Sequence, residues 1–252
     1  MLFNFFKRKQ KAHTLNAEIA PEPYLGDLNL TNKIFQLCEI PLSDRDEKWR
    51  AELISALPLA SFKCGDPQVS RGEDGFPYFQ LHLPEANTEF QCYVIDKMLD
   101  DFLLESGFGV TIHSKHQVEW VLSYGDLVNY HLNKSFYSDN GFFSKQQNDE
   151  TISETEEVMI GIPSESILHK KQRKVLKEYL TNNEVKEPKI LLMARKKGNA
   201  ITQDLVFNIT NENFETEERY RNVMYYLSWY LPRHYSYVGI KEETFQDAFT
   251  PL

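Results

Sequence analysis

The sequence predicts an α+β fold built from two small units, and three observations lead to this prediction. The chain has 252 residues with 41% hydrophobic and 13% aromatic content, which is enough to bury a sizeable core. Stretches with apolar residues at helical spacing alternate with short stretches typical of strands. Between the halves the composition turns polar, as in a segment that few contacts cross. We expect a lead over residues 1–28, an N-terminal α+β domain over 29–140, an acidic and polar linker over 141–157 and a C-terminal α+β domain over 158–252.

The N-terminal unit is predicted to open with a helical hairpin. Its first helix covers residues 31–39, where apolar side chains share one face. A second helix is expected to start near Ser43, whose hydroxyl can cap the free N–H groups of the next turn, and to stop at Pro58. The apolar positions of this second helix are Trp49, Leu53 and Leu57.

An antiparallel sheet and two further helices are expected to complete this unit. Residues 95–103 place apolar side chains along one face of a helix that Gly107 ends. Residues 108–113 and 117–123 predict a hairpin, and residues 125–133 a short closing helix. The remaining strand signals, which we expect to be antiparallel neighbours, lie at residues 61–64, 76–83 and 89–95.

The C-terminal unit has the element order βαββαβ, typical of a split sandwich with helices on one face of an antiparallel sheet. Pro163-Ser164 is expected to open its first helix, Gly198-Asn199 suits the turn of its hairpin, and Pro232 ends its second helix. The expected elements are a buried strand at 158–162, a hairpin of 188–195 with 201–209, a helix at 215–231 and a last strand at 234–240.

One family resemblance accompanies this pattern. Met159 leads through Gly161-Ile162-Pro163 into a helix, and strands follow at residues 189–195 and 205–208. In this order of elements, about the last 90 residues resemble the C-terminal domain of the enhanced-serine-sensitivity protein (SseB) family. The resemblance implies a bacterial cytoplasmic protein of unassigned biochemistry, and it supplies no active site.

Charge and cysteine content narrow the function classes. The formal net charge of -9 at pH 7 opposes attraction to phosphates, so we expect no nucleic-acid partner. Cys38, Cys64 and Cys92 lie far apart and form neither an even disulfide framework nor a zinc-binding pair. We expect reduced thiols in a cytoplasmic protein.

Residues 1–11 combine apolar and basic side chains ahead of any acidic residue. The apolar run is too short for a signal peptide or a membrane span. Leu2, Phe3, Phe5 and Phe6 could enter a membrane surface while the basic residues contact anionic lipid. We favour a frayed start that rests on the domain, and peripheral membrane docking is the alternative.

Histidines and carboxylates raise a second alternative, a metal-assisted hydrolase. His113 and His116 form an HxxH pair, and Asp96 and Asp100 lie one helical turn apart. Both patterns can also arise without a metal site. The histidines, including His131, would then be exposed and unliganded, and the carboxylates would lie on a solvated helix face. Neither GxSxG nor GxGxxG is present. We therefore predict no catalytic residue, no metal and no cofactor.

Two stretches combine aromatic and polar side chains in the way typical of interface anchors. The first begins at Trp120, and there Tyr124 and Asp126 could form a hydrogen-bonding rim. The second stretch comprises Tyr226, Trp229, Arg233, His234 and Tyr235. For this stretch the alternative to an exposed surface is core packing on two sides, and we favour core packing for the cluster around Trp229.

These observations predict a non-catalytic binding or protein-interaction module. Its first candidate surface is residues 229–235, and its partner is an unspecified protein or small ligand.

Overall fold

A computed structural model describes residues 25–138, 141–144, 157–197, 199–245 and 247–252. The predicted α+β class is confirmed. These residues do not include the membrane-docking segment 1–11, most of the predicted lead, residues 145–156 of the predicted linker or Gly198 of the predicted turn. Among the described residues, no helix combines the length and the apolar character that crossing a bilayer requires.

Two helices form the predicted N-terminal hairpin: α1, Leu28–Cys38, and α2, Glu47–Ala56. The predicted start of the second helix near Ser43 is wrong, because that residue lies in a separate 3₁₀ turn. The carboxylate of Asp46 caps α2 instead, accepting a hydrogen bond from the backbone N–H of Trp49. The indole of Trp49 donates to the Leu37 carbonyl oxygen at 2.9 Å and so ties α2 to α1.

The N-terminal sheet has the strand order β1-β2-β3-β4. Its strands are β1 Lys63–Arg71, β2 Pro77–His82, β3 Gly109–His113 and β4 Val118–Leu122. The β1–β2 and β3–β4 pairs are antiparallel, as predicted, whereas β2 and β3 are parallel because a helix carries the chain back between them. The predicted strand over residues 89–95 is wrong, since Tyr93 forms an isolated bridge with Phe62 and a helix begins at Ile95.

Two helices flank β3 and β4. The first, α3, spans Ile95–Met98 and continues as a π-helical turn over Leu99–Leu104. Gly107 ends it, as predicted, with a φ of 69° that favours glycine. The second, α4, spans Tyr124–Asn133 and agrees with the predicted closing helix.

The C-terminal sheet has the strand order β5-β6-β7-β8, and β9 pairs with β6. Its strands are β5 Glu157–Gly161, β6 Lys189–Lys197, β7 Ala200–Phe207, β8 Tyr237–Gly239 and β9 Thr250–Pro251. The β6–β7 hairpin is as predicted, but β7 and β8 are parallel, so the sheet is mixed. The strand predicted as buried, β5, is instead an exposed edge strand that carries Met159 and Ile160 at the surface.

The helices of this half are α5, Lys170–Asn182, and α6, Glu217–Leu227. The predicted helix start at Pro163-Ser164 is wrong, because the side chain of His169 caps α5 by accepting from Lys171 N. After α6 the chain forms a 3₁₀ turn, Ser228–Tyr230, before Pro232.

Buried residues from both halves form one hydrophobic cluster. Trp229 links them: its ring stacks on Phe76 at a centroid distance of 4.2 Å, and its indole donates to the hydroxyl of Tyr78 at 2.7 Å. A smaller cluster around Leu191, Met193 and Val206 packs against partly buried apolar residues that include Phe245 and Phe249.

Candidate functional site

The two stretches predicted as candidate surfaces meet in one place. Trp120 of β4 and the Arg233-His234 segment after the 3₁₀ turn line a shallow pocket of about 280 Å³. We call it the Trp120–Arg233 pocket. Its lining residues are Arg50, Trp120, Tyr137, Ser138, Arg233 and His234.

Arg233 is fixed by a bidentate ion pair with Asp126. Its Nε donates to Oδ1 of Asp126 at 2.7 Å, and its Nη2 donates to Oδ2 at 2.8 Å. The Asp126 side chain is 0% exposed, whereas that of Arg233 is 62% exposed. The hydrogen bonds to Asp126 raise the pKa of the Arg233 guanidinium, so its charge is permanent. The pair thus anchors a surface cation on a buried carboxylate.

The start of α4 determines where Asp126 lies. Asp126 and Ser123 form a capping box: Ser123 Oγ accepts from Asp126 N at 3.1 Å, and Asp126 Oδ2 accepts from Ser123 N at 3.0 Å. The box helps to fix the orientation in which the carboxylate accepts from Arg233. The prediction that Asp126 forms part of an exposed hydrogen-bonding rim is therefore wrong. Its carboxylate is fully buried and accepts from Ser123 and Arg233 of the same chain.

A glycine allows the Arg233 segment to reach α4. A Cβ added to Gly125 would lie 2.0 Å from the carbonyl oxygen of Leu231, far inside van der Waals contact. Only a residue without a side chain therefore lets Leu231 lie against the first turn of α4. This close approach places Arg233, two residues further on, beside Asp126.

Aromatic rings form the other wall of the pocket. The Arg233 Cζ lies 4.5 Å from the centroid of the Tyr137 ring. The Trp120 indole donates to the Tyr137 hydroxyl at 3.0 Å, and burial raises the pKa of that hydroxyl. Behind Trp120 lies Trp49, with ring centroids 6.1 Å apart. The rings therefore support one another and the guanidinium.

The chain matches no protein-family model, no curated protein and no solved structure. The resemblance to the SseB family therefore stays a prediction.

Trp229 and Tyr124 lie away from the pocket. Trp229 is 8% exposed and belongs to the core, as the packing alternative expected. The expected exposure of Tyr124 is wrong, because its ring is fully buried and its hydroxyl donates to the Leu104 carbonyl oxygen at 3.0 Å. Both residues pack where the two halves meet.

Tyr226 and Tyr235 are also outside the residues that line the pocket. The ring of Tyr235 stacks on Phe143 at 3.9 Å, and its hydroxyl donates to the Ile167 carbonyl oxygen at 2.8 Å. Tyr226 is 39% exposed, contacts Phe76 edge-on and neighbours the exposed Tyr225.

Sequence reasoning missed Tyr137, Ser138 and Arg50. Tyr137 lies in the loop after α4 between the buried Phe136 and Ser138, and residue type alone does not distinguish its ring from a core ring there. Arg50 lies on the exposed side of α2, and no local pattern separates it from the other charged residues there.

The residues of the metal-hydrolase alternative make other contacts. His113 stacks on His82 at a centroid distance of 4.4 Å, while His116 is exposed. Asp96 accepts from the Tyr130 hydroxyl at 3.0 Å, and Asp100 pairs with Lys171. Within the described ranges, no group of three or more His, Cys, Asp or Glu side chains is arranged to hold a metal ion.

The thiol of Cys38 is a poor nucleophile. Its burial, together with the nearby Glu119 carboxylate, raises its pKa to about 12. Little thiolate exists at neutral pH under these conditions.

Proposed function

We propose that this chain is a non-catalytic binding module that holds a segment of a partner protein at the Trp120–Arg233 pocket. The observation that carries the proposal is Arg233, whose guanidinium is partly exposed although Asp126 and the Tyr137 ring fix its position. Arg, Trp and Tyr dominate the binding energy of protein interfaces when they are held in place. A side chain that is already ordered loses little rotamer entropy when a partner binds.

The size of the pocket allows a side chain of a protein segment as the ligand. A volume of about 280 Å³ lies just below the range of roughly 300–1,000 Å³ that is typical of small-molecule and cofactor sites. Such a volume suits one or two inserted side chains. The partly exposed ring of Trp120 in its lining offers apolar area to a bound segment.

The proposed setting is the cytoplasm of a bacterium. The resemblance to the SseB family and the three free cysteines support it. Membrane docking through residues 1–11 is the competing proposal, and deletion of those residues separates the two. Loss of binding to vesicles that contain anionic lipid would support docking, and unchanged binding would exclude this segment as the anchor.

A random-peptide array tests the binding proposal. Wild-type protein is expected to bind a subset of peptides, and Tyr137→Ala and Trp120→Ala are expected to lower that binding at least tenfold. Tyr225→Ala is the matched control, because Tyr225 is an aromatic residue with 70% exposure outside the pocket lining. Urea unfolding confirms that each variant is folded. Equal losses in Tyr225→Ala and the pocket variants would overturn the proposal, as would the absence of pocket-dependent binding.

A further inference from the structure

We infer that the Trp120–Arg233 pocket recognises a carboxylate, so that the partner segment is an acidic peptide in which Asp or Glu neighbours an apolar residue. This inference rests on the proposed function and adds the chemistry of the ligand.

The described residues that line the pocket are more basic than the chain as a whole. Among the described residues, the pocket lining includes the cations Arg50 and Arg233 and the imidazole of His234, and no Asp or Glu. This composition departs from that of a chain with a net charge of -9. An acidic protein that gathers basic side chains around one concave site creates a local attraction for anions.

Arg233 presents N–H groups that its ion pair with Asp126 does not use. A guanidinium carries five N–H groups in a fixed plane. The ion pair with Asp126 uses Nε and Nη2, and Nη1 takes no part in those two bonds. Since Asp126 and the Tyr137 ring hold the plane in place, the two N–H groups of Nη1 have a set direction. A ligand carboxylate can accept from them without reorganising the site.

Arg50 supplies the second cation. Its Nη1 lies 3.4 Å from Glu47 Oε1, and both side chains are more than half exposed. Exposed pairs within a helix contribute only about 0.3–0.5 kcal/mol. Arg50 can therefore turn from Glu47 to an arriving carboxylate at little cost, whereas Arg233 stays in place.

The balance of charge favours a carboxylate over a phosphate. Asp126 is buried against Arg233 and offsets its positive charge, so the net positive charge of the pocket is at most about one unit and comes from Arg50, whose exposed pair with Glu47 is weak. That balance matches one singly charged carboxylate. A phosphate group carries about 1.5 to 2 negative charges at neutral pH and needs more cations than the pocket offers.

Three matched pools of random heptapeptides test the inference, with Glu, Gln or phosphoserine fixed at the central position. Wild-type protein is expected to bind the Glu pool at least fivefold more strongly than the Gln pool. Arg50→Gln is expected to reduce that ratio to about twofold, and the pair Arg233→Gln with Asp126→Asn to bring it near one. Arg221→Gln is the matched control, because Arg221 is an exposed helical arginine paired with Glu217 and not a lining residue.

Each outcome separates this inference from the proposed function. If the Glu and Gln pools bind equally while Trp120→Ala still abolishes binding, recognition of a carboxylate is wrong and the proposed binding module stands. Stronger binding of the phosphoserine pool than of the Glu pool also overturns it. A ratio that Arg221→Gln lowers as much as Arg50→Gln does removes the pocket as its cause. Loss of binding to all pools in every form of the protein overturns the proposed function itself.

Discussion

Arg233 and Asp126 form a two-bond ion pair across 107 residues of sequence, with the carboxylate buried and the guanidinium at the surface. Removing Arg233 leaves a buried charge with fewer partners. We expect Arg233→Gln and Asp126→Asn each to lower the free energy of unfolding by about 1–3 kcal/mol. The double variant is expected to lose less than the sum, by at least ~1 kcal/mol, in a urea-denaturation cycle.

The matched control for this pair is Arg221→Gln, because Arg221 and Glu217 are both well exposed. It is expected to change the free energy of unfolding by less than about 0.5 kcal/mol. Strict additivity of the two single variants would show that the pair contributes no coupling.

The hydrogen bond between Trp229 and Tyr78 is expected to stabilise the fold. Tyr78→Phe leaves the buried indole N–H of Trp229 without its acceptor, which is expected to cost about 1–3 kcal/mol of unfolding free energy. Trp229→Ala also removes the ring that stacks on Phe76, and a loss of about 3–5 kcal/mol is expected. Guanidinium denaturation followed by far-UV circular dichroism measures both. Wild-type stability in Tyr78→Phe would contradict this role for the bond.

The free energy of unfolding is expected to decrease as the pH falls below 6.5, the ordinary pKa of histidine. Burial lowers the pKa of both His82 and His113 below 6.5, and the stacked rings oppose double protonation. The unfolded chain then binds more protons than the folded one from pH 6.5 down to the lowered values, so the free energy of unfolding decreases over that window. Replacing either histidine by Gln is expected to flatten this part of the pH profile.

Urea denaturation between pH 7.5 and 5 measures this effect, with His116→Gln as the control. His116 is exposed on the β3–β4 turn, so its removal is expected to leave the profile unchanged. A wild-type profile in both His82→Gln and His113→Gln would exclude the stacked pair as the cause.

Two glycines should respond very differently to Ala. Gly125→Ala places a Cβ 2.0 Å from the Leu231 carbonyl oxygen, and we expect a loss of at least ~3 kcal/mol or no folding. Gly161 of β5 has open space around it, so Gly161→Ala is expected to change stability by less than about 1 kcal/mol. Thermal unfolding of both variants checks the contrast, and similar melting temperatures would contradict it.

The sequence predicted the elements better than their pairing. Apolar spacing located α4 and the β6–β7 hairpin closely, because these patterns depend on neighbours a few residues apart. The parallel pairs β2–β3 and β7–β8 were missed, since each joins strands separated by a helix and depends on how that helix packs. Helix starts were displaced where several capping residues compete, as with Ser43 and Asp46.

The site was predicted in fragments. Trp120, Arg233 and His234 were identified by residue type, but no local pattern reports that they line the same pocket. Their meeting depends on the backbone approach at Gly125, which a sequence shows only as one more glycine at a helix start. Trp229 and Tyr124 have the composition of interface residues, and only tertiary packing assigns them to the core.

The contact of Trp229 with Tyr78 also bears on how the chain folds during its synthesis. The two residues are 151 positions apart. At a ribosomal rate of about 5–20 residues per second, that interval takes roughly 8–30 s. Through this time Phe76 and Tyr78 of the nascent N-terminal half lack the Trp229 ring that covers them in the folded protein, and their apolar surface is open to association with other chains.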